Sequence, residues 1–456
     1  MEDVETVLAQ QKTYFNSGKT RNVSFRRLQL EILRHAIEQY EDRILEALRG
    51  DLGKSAYEGY LTEVGIVLEE IRHTRRHLAR WARPRRVRTP YYHFPAVSKI
   101  HPEPYGSVLV ISPWNYPFQL AIAPMAGAIS AGNCAVIKPS EFAPRTAEVI
   151  ADMIAGYFDP GFVTVVTGDV EASKALLDQP FDYIFFTGST EVGRQVMSAA
   201  ARRPTPVTLE LGGKSPTIVT ADADIDSAAR KIASGKFINA GQTCIAPDYV
   251  VAHRSVKDAL VDRIGAHVEI FFGENPREST DYPRIVNSRH FDRLSGLMEG
   301  AEIAWGGRTD RDSLYIAPTL ADNVSWDHPL MRDEIFGPIL PVLTYDRLTE
   351  VIEQIRSRPK PLALYLFARN GGDEKRVVNE LSYGGGCIND TLIHLATPYL
   401  PFGGVGASGM GRYHGKASFD TFSHEKSILK NLSPIDNPFR FPPYMKTLRL
   451  VKKFIG

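Results

Sequence analysis

The feature that most constrains the fold is a series of short apolar runs separated by helical stretches. Four such runs follow one another between residues 106 and 190, and they read GSVLVISPWN, NCAVIKPSE, FVTVVTGD and FDYIFFTGST. Parallel strands that are buried on both faces have this continuous apolar character. Short strands that alternate with helices are typical of βαβ units. The pattern therefore predicts a parallel α/β sheet of the nucleotide-binding type.

A second series of the same kind follows the first. It begins at TPVTLELGGKSPTIVT and continues through YVVAHR, YIAPTL, ILPVLTY and LALYLFA. The chain has 456 residues, which is too long for one compact core. We therefore predict an α/β fold of two Rossmann-like domains with parallel sheets and a cleft between them. Apolar residues recur at helical spacing before residue 81, so we expect that region to be mainly helical.

Two segments fit neither series. Residues 91–103 (YYHFPAVSKIHPE) have an extended character and are bounded by prolines, and residues 421–432 (TFSHEKSILKNL) follow the last glycine-rich loop. We predict that each contributes a strand to a small projecting arm. Arms of this kind usually contact another subunit.

Composition and charge exclude several classes of protein. The formal net charge of +1 leaves no global field that would recruit nucleic acid. Cys134, Cys244 and Cys387 are odd in number and far apart, which argues against disulfides and predicts a reducing, cytoplasmic location. The sequence contains no CxxC pair and no Cys/His cluster, so we predict no metal site.

Three segments bear on membranes and charged surfaces. Residues 118–137 are uncharged and reach the length of a membrane span, but they contain Gln119, Asn133, a proline and two glycines, which favours a buried helix, a turn and a buried strand. Residues 72–88 hold eight arginines and are interpreted as a solvated helix end that runs into a linker. The basic tail MKTLRLVKKFIG leaves peripheral membrane contact open as a minor alternative.

Cys244 has an unusual setting for a structural cysteine. It lies in NAGQTCIAP, among small and polar residues, whereas a structural cysteine is usually surrounded by apolar ones. The composition predicts an exposed bend whose backbone N–H groups lower the pKa of the thiol and make it a nucleophile. The alternative is an inert cysteine in a turn.

Other polar residues stand directly after predicted strands. Glu210 precedes two glycines, and a carboxylate in apolar surroundings has the raised pKa of a general base. Asn115 follows another strand, where its amide can donate to an oxyanion. In FTGSTEVGR, Gly188 and Gly193 let backbone approach a pyrophosphate at a helix N-terminus. Taken singly, each also fits an ordinary turn or strand end.

Seven motifs in a fixed order carry more information than these residues taken singly. They are PWNYPF, KPSE, FTGSTEVG, LELGGKSP, GQTC, EIFGP and PFGGVGASGMG. In this order they resemble the aldehyde dehydrogenase superfamily over nearly the whole chain. The APDYV that follows Cys244, and MGRYHGKASFDTFSH near the end, are most similar to the class 3 branch, whose members act on fatty and aromatic aldehydes.

The resemblance implies a domain organisation. Residues 1–83 and 104–209 would form an NAD(P)-binding domain and residues 210–407 a catalytic domain. Residues 84–103 and 421–432 would form an oligomerisation arm, and residues 433–456 a C-terminal tail. The same resemblance implies a homodimer with an arm that crosses between subunits.

Residue roles also follow from the resemblance. Cys244 corresponds to the nucleophile, Glu210 to the general base and Asn115 to the oxyanion donor, while Asn389 corresponds to a residue that supports the site. The positions that correspond to contacts with NAD, or with NADP, are Trp114, Lys138, Glu141, Gly188, Ser189, Gly193, Leu211, Glu334 and Phe336. We also expect Tyr116, Thr243, Phe402 and His414 to line the substrate pocket as an aromatic-tolerant tunnel that favours apolar substrates, although aromatic residues at such positions are just as often part of the core.

The implied reaction is oxidation of an aldehyde, medium- or long-chain aliphatic or aromatic, to a carboxylic acid. Cys244 would form a thiohemiacetal and then a thioester, which Glu210 would help water to hydrolyse. Two alternatives stay open at this point. A coenzyme A-acylating relative generally lacks the glutamate of LELGG, and a non-catalytic binding or structural protein would lack the nucleophile or the base, so the intact residues argue against both.

Overall fold

The computed structural model describes residues 4–434 and, in the C-terminal segment, residues 441, 442, 444, 448, 449 and 452. Most of the predicted tail, residues 433–456, and with it the alternative of membrane contact, lies outside the described residues. None of the described helices combines the length and the hydrophobicity that a membrane crossing requires.

The second helix, α2, is long, and a capping residue lies at each of its ends. The side chain of Asn22 accepts a hydrogen bond from the N–H of Ser24 at its start, and Gly53 ends it with a φ of 72°. A single π-helical turn, Tyr60–Val64, separates α3 from α4. The helices are α1 (Val4–Asn16), α2 (Val23–Leu52), α3 (Ala56–Gly59), α4 (Gly65–Trp81), α5 (Gln119–Ala131), α6 (Pro144–Tyr157), α7 (Val170–Leu177), α8 (Thr190–Ala201), α9 (Ile225–Phe237), α10 (Lys257–Phe272), α11 (Ser288–Leu297), α12 (Leu348–Arg356), α13 (Gly371–Glu380) and α14 (Lys416–Thr421).

The strands are mostly short. They are β1 (Arg85–Val87), β2 (Val97–Pro104), β3 (Ser107–Ile111), β4 (Cys134–Lys138), β5 (Val163–Val165), β6 (Tyr183–Thr187), β7 (Val207–Glu210), β8 (Pro216–Val219), β9 (Tyr249–His253), β10 (Glu302–Trp305), β11 (Thr309–Asp310), β12 (Tyr315–Ile316), β13 (Thr319–Asp322), β14 (Ile339–Tyr345), β15 (Ala363–Phe367), β16 (Gly385–Ile388), β17 (Gly409–Met410) and β18 (Ser423–Lys430).

The first sheet has the predicted parallel arrangement. Its strand order is β17-β7-β6-β3-β4-β5, and all neighbours are parallel except β17, which pairs antiparallel with β7. Every residue of β3, β4 and β6 is buried, which explains their continuous apolar character. The strand order reverses between β3 and β6. Ligands of open α/β sheets bind beside such a reversal, at the carboxyl ends of the strands.

The second sheet has the order β10-β13-β14-β9-β8-β15-β16, again parallel except for β10 at its edge. The prediction that TPVTLE opens the second series is wrong, because β7 pairs in register with β6 of the first sheet. The second series starts at β8. Residues 118–137 form the predicted buried helix α5, a turn at Gly132 with a φ of 98°, and β4. The domain bounds stay a prediction.

The arm is a separate antiparallel sheet of β1, β2 and β18. β2 and β18 pair along their whole lengths, from Val97 with Lys430 to Pro104 with Ser423. The extended strand expected from residue 91 begins only at Val97, because Tyr91–His93 form a 3₁₀ turn. Pro90 and Pro95 flank that turn and lack the N–H that a strand ladder needs. The two α/β sheets and the arm confirm the predicted fold class, and the role of the arm in assembly stays a prediction.

Candidate active site

A cleft of about 650 Å³ contains the three predicted catalytic side chains. Its walls come from the loops after β3, β6 and β7, from the loop that precedes β9, and from residues 331–336. Asn115, Glu210 and Cys244 all line it. The fold thus brings together Asn115 and Glu210, from the carboxyl ends of strands of the first sheet, and Cys244, from the loop that precedes β9 of the second sheet.

The loop of Cys244 is buried, so the prediction of an exposed bend is wrong. Gln242, Thr243, Ile245 and Ala246 are all buried, and only Cys244 keeps partial exposure, into the cleft. The small residues serve close packing: a side chain on Gly241, whose φ is 73°, would collide with the carbonyl of Gly337.

The surroundings of Cys244 also contradict the predicted low pKa. Burial raises the pKa of the thiol well above its usual value, and the carboxyl groups of Glu334 and Glu210 raise it further. The backbone N–H groups of Cys244 and Ile245 oppose this shift but do not overcome it. Burial therefore favours the neutral thiol of Cys244, which must lose its proton before the sulfur can attack a carbonyl carbon.

Glu210 ends β7 and is only 3% exposed. Neither of its carboxylate oxygens has a hydrogen-bond partner among the described residues. Burial alone raises its pKa well above that of an ordinary glutamate. A buried, raised-pKa carboxyl group with free oxygens that faces a cleft can accept a proton from a bound water.

Asn115 is held at its backbone and at its amide. Its carbonyl accepts hydrogen bonds from Lys54 Nζ at 3.0 Å and from Asn239 Nδ2 at 2.7 Å. Its own Nδ2 donates to the carbonyl of Gln242 at 3.0 Å. That is the one hydrogen bond of this nitrogen within residues 4–434, so a second N–H is left for a ligand in the cleft. Asn115 is thereby connected to the chain just before Cys244.

Sequence reasoning missed a buried charged group behind Asn115. Lys54 and Glu63 form an ion pair with an Nζ–Oε1 distance of 2.5 Å, and both side chains are 0% exposed. Glu58, also buried, accepts a hydrogen bond from the N–H of Asn239 at 3.0 Å. In the sequence these residues look like ordinary charged positions at the end of a helix. No local pattern sets them apart, because their burial depends on packing against the loop of Asn115.

Most of the predicted cofactor residues line the same cleft. They are Trp114, Gly188, Ser189, Leu211, Glu334 and Phe336. Gly193 lies beneath it on α8, where an added Cβ would come within 2.6 Å of Leu211 Cδ2. Burial and the charge of Asp248 raise the pKa of Glu334 to about 8, although Lys214 and Lys236 oppose the shift.

Lys138 and Glu141 lie apart from the main cleft. Lys138 ends β4, is buried, and forms an ion pair with Glu141 at 2.8 Å. Glu141 lines a smaller pocket of about 380 Å³ with Ser140 and Gly168. β4 is the direct neighbour of β3, so both residues lie at the same carboxyl edge of the sheet as the cleft.

The four predicted substrate-pocket residues separate into two pairs. The hydroxyl groups of Tyr116 and Thr243 share a hydrogen bond of 2.6 Å beside Cys244, and both residues are buried. Phe402 and His414 contact each other, with ring centroids 5.8 Å apart. His414 lines a different pocket, of about 450 Å³, together with His73, Trp81 and Tyr399. Their roles toward substrate stay a prediction.

Asn389 supports the second sheet at its edge. Its side chain donates to the carbonyl of Ala368 and accepts from the N–H of the same residue, both at 3.0 Å. These bonds fasten the end of β16 to the end of β15.

The cleft suits a dinucleotide whose pyrophosphate lies at the start of α8. Ser189 caps that helix by accepting a hydrogen bond from the N–H of Val192. Gly188 leaves no room for a side chain, since an added Cβ would come within 2.5 Å of the ring of Phe186. Thr187, which lines the cleft, has a buried hydroxyl without a partner among the described residues. Such an unpaired group is consistent with a polar ligand in the cleft.

Comparison with known proteins agrees with this geometry. A model of the aldehyde dehydrogenase family matches residues 1–428. The 4,4'-diaponeurosporen-aldehyde dehydrogenase of Staphylococcus aureus is 51% identical over 456 residues, which cover 100% of this chain and 99% of that protein. A dimeric, NADP-preferring aldehyde dehydrogenase of Rattus norvegicus is 46% identical over 445 residues, which cover 97% and 98%.

Solved structures share the whole architecture. A substrate-bound state of Staphylococcus aureus AldH matches with a TM-score of 0.98 at 51% identity and covers 100% of both chains. An NAD-dependent aldehyde dehydrogenase from Sinorhizobium meliloti matches with a TM-score of 0.87 at 29% identity, over 96% of this chain and 88% of the other.

Proposed function

The chain belongs to the aldehyde dehydrogenase family, and on this premise we propose that it oxidises apolar aldehydes, aliphatic or aromatic, to carboxylic acids with NAD or NADP. The observation that carries the proposal is the meeting of Cys244, Glu210 and Asn115 around one cleft. A thiol, a carboxyl group with both oxygens free and a side-chain amide are the nucleophile, base and oxyanion donor that acyl chemistry needs.

The cofactor would lie along the carboxyl edge of the first sheet. Lys138 and Glu141 would hold the adenosine ribose, and the turn of Gly188 and Ser189 would hold the pyrophosphate. Glu334 and Phe336 would lie beside the nicotinamide ribose. When bound, NAD(P) supplies the hydride acceptor for the reaction.

The protein's own residues account for the rest of the chemistry. The Cys244 sulfur adds to the aldehyde carbon, and the amide of Asn115 donates to the alkoxide that forms. Oxidation at that carbon leaves a thioester on Cys244. Glu210 then takes a proton from water, which attacks the thioester and releases the carboxylic acid.

Activation of the thiol needs an acceptor for its proton. Glu210 and Glu334 both act electrostatically on Cys244 and both have raised pKa values. An ionised carboxylate with a raised pKa is a stronger base than an ordinary one. Because both carboxyl groups line the same cleft as Cys244, we assign the first deprotonation to this carboxylate pair and the later activation of water to Glu210 alone.

Two observations support an apolar substrate. The name of one relative contains 4,4'-diaponeurosporen-aldehyde, which is an apolar aldehyde. In this chain, His414 stacks on Tyr413, a buried residue that interacts electrostatically with Glu210 and Cys244, and His414 also lines, with Trp81, Tyr399 and several charged side chains, a pocket of about 450 Å³. Its aromatic rings would contact an aliphatic or aromatic body while the aldehyde reaches the sulfur.

The test is a panel of initial rates. Saturated aliphatic aldehydes of increasing length, aromatic aldehydes and small charged aldehydes are each measured with NAD and with NADP. We expect kcat/KM to rise with apolar length and to be lowest for charged substrates. A preference for small charged aldehydes would refute the substrate assignment, and turnover that required added coenzyme A would replace hydrolysis with acyl transfer.

We also propose that the protein is a cytoplasmic homodimer. The arm supports this, because β18 is an edge strand of eight residues with Ile428 and Leu429 exposed. A long edge strand with exposed apolar side chains is a template for pairing with another chain. The absence of a disulfide among Cys134, Cys244 and Cys387 supports a reducing compartment.

A further inference from the structure

We propose that the buried Lys54–Glu63 ion pair is a positioning device for Asn115, acting on the reaction through the loop that carries this amide. The inference rests on the proposed role of Asn115 as oxyanion donor. Neither charged residue lines the cleft, so neither is assigned any contact with substrate.

Lys54 holds the loop from one side. It follows Gly53, the left-handed residue that ends α2, and its ammonium group donates to the carbonyl of Asn115 at 3.0 Å. The same nitrogen lies 4.0 Å from the ring centroid of Tyr116, the next residue. One cation thus contacts two successive residues of the loop.

Glu63 holds the loop from the other side. Its Oε2 accepts hydrogen bonds from the N–H groups of Phe118 at 2.8 Å and Gln119 at 3.1 Å, at the start of α5. Its Oε1 pairs with Lys54. A π-helical turn, Tyr60–Val64, contains Glu63, and such turns occur frequently at functional sites. The carboxylate therefore fixes the end of the loop while the lysine fixes its beginning.

Stability alone is a weak reason to keep such a pair. Removing two charges from water carries a desolvation cost that often exceeds their attraction, and apolar residues of similar size commonly serve as well. What the pair adds here is a fixed position for this loop, because its remaining hydrogen bonds connect it to the backbone of residues 115, 118 and 119. A backbone shift of the order of 1 Å in this loop would move the donor N–H of Asn115 out of reach of the oxyanion.

The test is a double-mutant cycle between Lys54→Met and Asn115→Ala. The measured rate is acylation of Cys244 by p-nitrophenyl acetate without nucleotide, because this step forms an oxyanion but needs no cofactor. We expect Asn115→Ala to slow acylation by about 10²- to 10³-fold. Lys54→Met should slow it by about 10- to 100-fold in the native background and by less than about threefold in the Asn115→Ala background.

Two controls separate positioning from loss of structure. Lys257→Met removes another shielded ion pair, with Asp322 at 2.6 Å, on a helix that does not line the cleft, and should leave acylation unchanged. Alkylation of Cys244 by iodoacetamide, followed on the peptide that contains it, needs no oxyanion donor. Its rate should be the same in Lys54→Met as in the native protein.

The outcomes are distinct. Equal slowing by Lys54→Met in both backgrounds, or a matching loss of alkylation, would overturn the positioning role while leaving the proposed function intact. No effect of Asn115→Ala would refute the oxyanion assignment itself. If Lys54→Met fails to fold, the cycle is repeated with Lys54→Met/Glu63→Leu, which removes both charges together and should show the same dependence on Asn115.

Discussion

Gly409 of β17 pairs directly with Glu210 of β7 at the edge of the first sheet. The partner opposite Glu210 therefore has no side chain, and a Cβ added to Gly409, whose φ is 147°, would collide with the carbonyl oxygen of Leu209. This pairing fixes the backbone of Glu210 without supplying a hydrogen-bond partner to its carboxylate. The carboxyl group is thereby left free to interact with water in the cleft.

Glu210→Gln should separate the two halves of the reaction. The amide keeps the shape of the side chain but cannot accept a proton, so steady-state turnover should fall by about 10²- to 10⁴-fold. Stopped-flow absorbance should show a burst of NADH near one equivalent per site if Glu334 suffices to deprotonate Cys244. Loss of the burst would assign both proton transfers to Glu210, whereas near-normal turnover would refute its role as base.

The pH dependence of turnover should reflect the same carboxyl group. Its raised pKa means that it stays protonated, and inactive as a base, to higher pH than an ordinary glutamate. Where deacylation limits turnover, kcat should rise with pH along a limb that lies above the usual glutamate range. A limb centred near the ordinary value of about 4.3 would contradict the buried, unpaired environment.

Cys244→Ala should abolish aldehyde oxidation and leave NAD binding nearly unchanged, because the covalent bond forms on the sulfur. Calorimetric titration with NAD measures binding, and NADH formation measures turnover. Cys387→Ser is the matched control, since this thiol is partly buried at β16 and lines no part of the cleft. Retention of a tenth of native turnover in Cys244→Ala would refute the nucleophile assignment.

Glu58→Gln should change how stability depends on pH. Burial raises the pKa of Glu58 to about 7, so the folded protein binds this proton more tightly than the unfolded chain. Its contribution to stability is complete below the unfolded pKa of about 4.5 and is lost as pH rises through 7. Glutamine keeps a side-chain oxygen that can accept the hydrogen bond from the N–H of Asn239, and its side chain does not ionise. The variant should match the native protein at acid pH and exceed it by up to about 3 kcal/mol above neutrality.

Thermal unfolding of both proteins between pH 4 and 8.5, at one protein concentration, gives this difference directly. Other carboxyl groups with raised pKa values, among them Glu210 and Glu334, are present in both proteins, so their effects cancel in the difference between the two. A difference in Tm that does not vary with pH would show that Glu58 keeps an ordinary pKa.

The arm should set the oligomeric state. Leu429→Asp places a charge on the exposed face of β18, where this leucine is 51% exposed in the isolated chain. Sedimentation velocity at micromolar concentration should show a dimer for the native protein and a larger monomer fraction for the variant. Truncation after Phe441 should leave the dimer intact, and a native monomer or tetramer would refute the proposal.

Glu141 should influence the choice of cofactor. Its carboxylate would repel a 2′-phosphate, and the adjacent Lys138 partly offsets that repulsion through their ion pair. Glu141→Gln should therefore raise the ratio of kcat/KM for NADP to that for NAD. An unchanged ratio would place the adenosine ribose elsewhere.

The sequence predicted the elements that depend on local patterns and ordered motifs. The buried apolar runs form β3, β4 and β6. Cys244, Glu210 and Asn115, each of which belongs to one of the family motifs, line one cleft. The properties that depend on packing were not predictable in this way. The small residues around Cys244 look exposed in the sequence, yet the loop is buried, and this burial reverses the expected direction of its pKa shift.

The supporting residues escaped prediction for the same reason. Lys54 and Glu63 are nine positions apart, on either side of the short helix α3, and charged residues there are usually solvated. Their partners at 115, 118 and 119 are distant in sequence. Likewise, β7 was placed with the wrong series because an apolar run does not specify which sheet it joins.

The position of β17 and β18 in the chain has a consequence for synthesis on the ribosome. The parallel strands of the first sheet, β3 to β7, are complete when residue 210 has been made, but their edge strand β17 and the arm strand β18 come about 200 residues later. At translation rates of about 5–20 residues per second, this leaves an interval of tens of seconds at most, during which β7 has an open edge. A nascent chain in that interval contains Glu210 but not the strand that flanks it, so competence for catalysis arises only after nearly the whole polypeptide has been made.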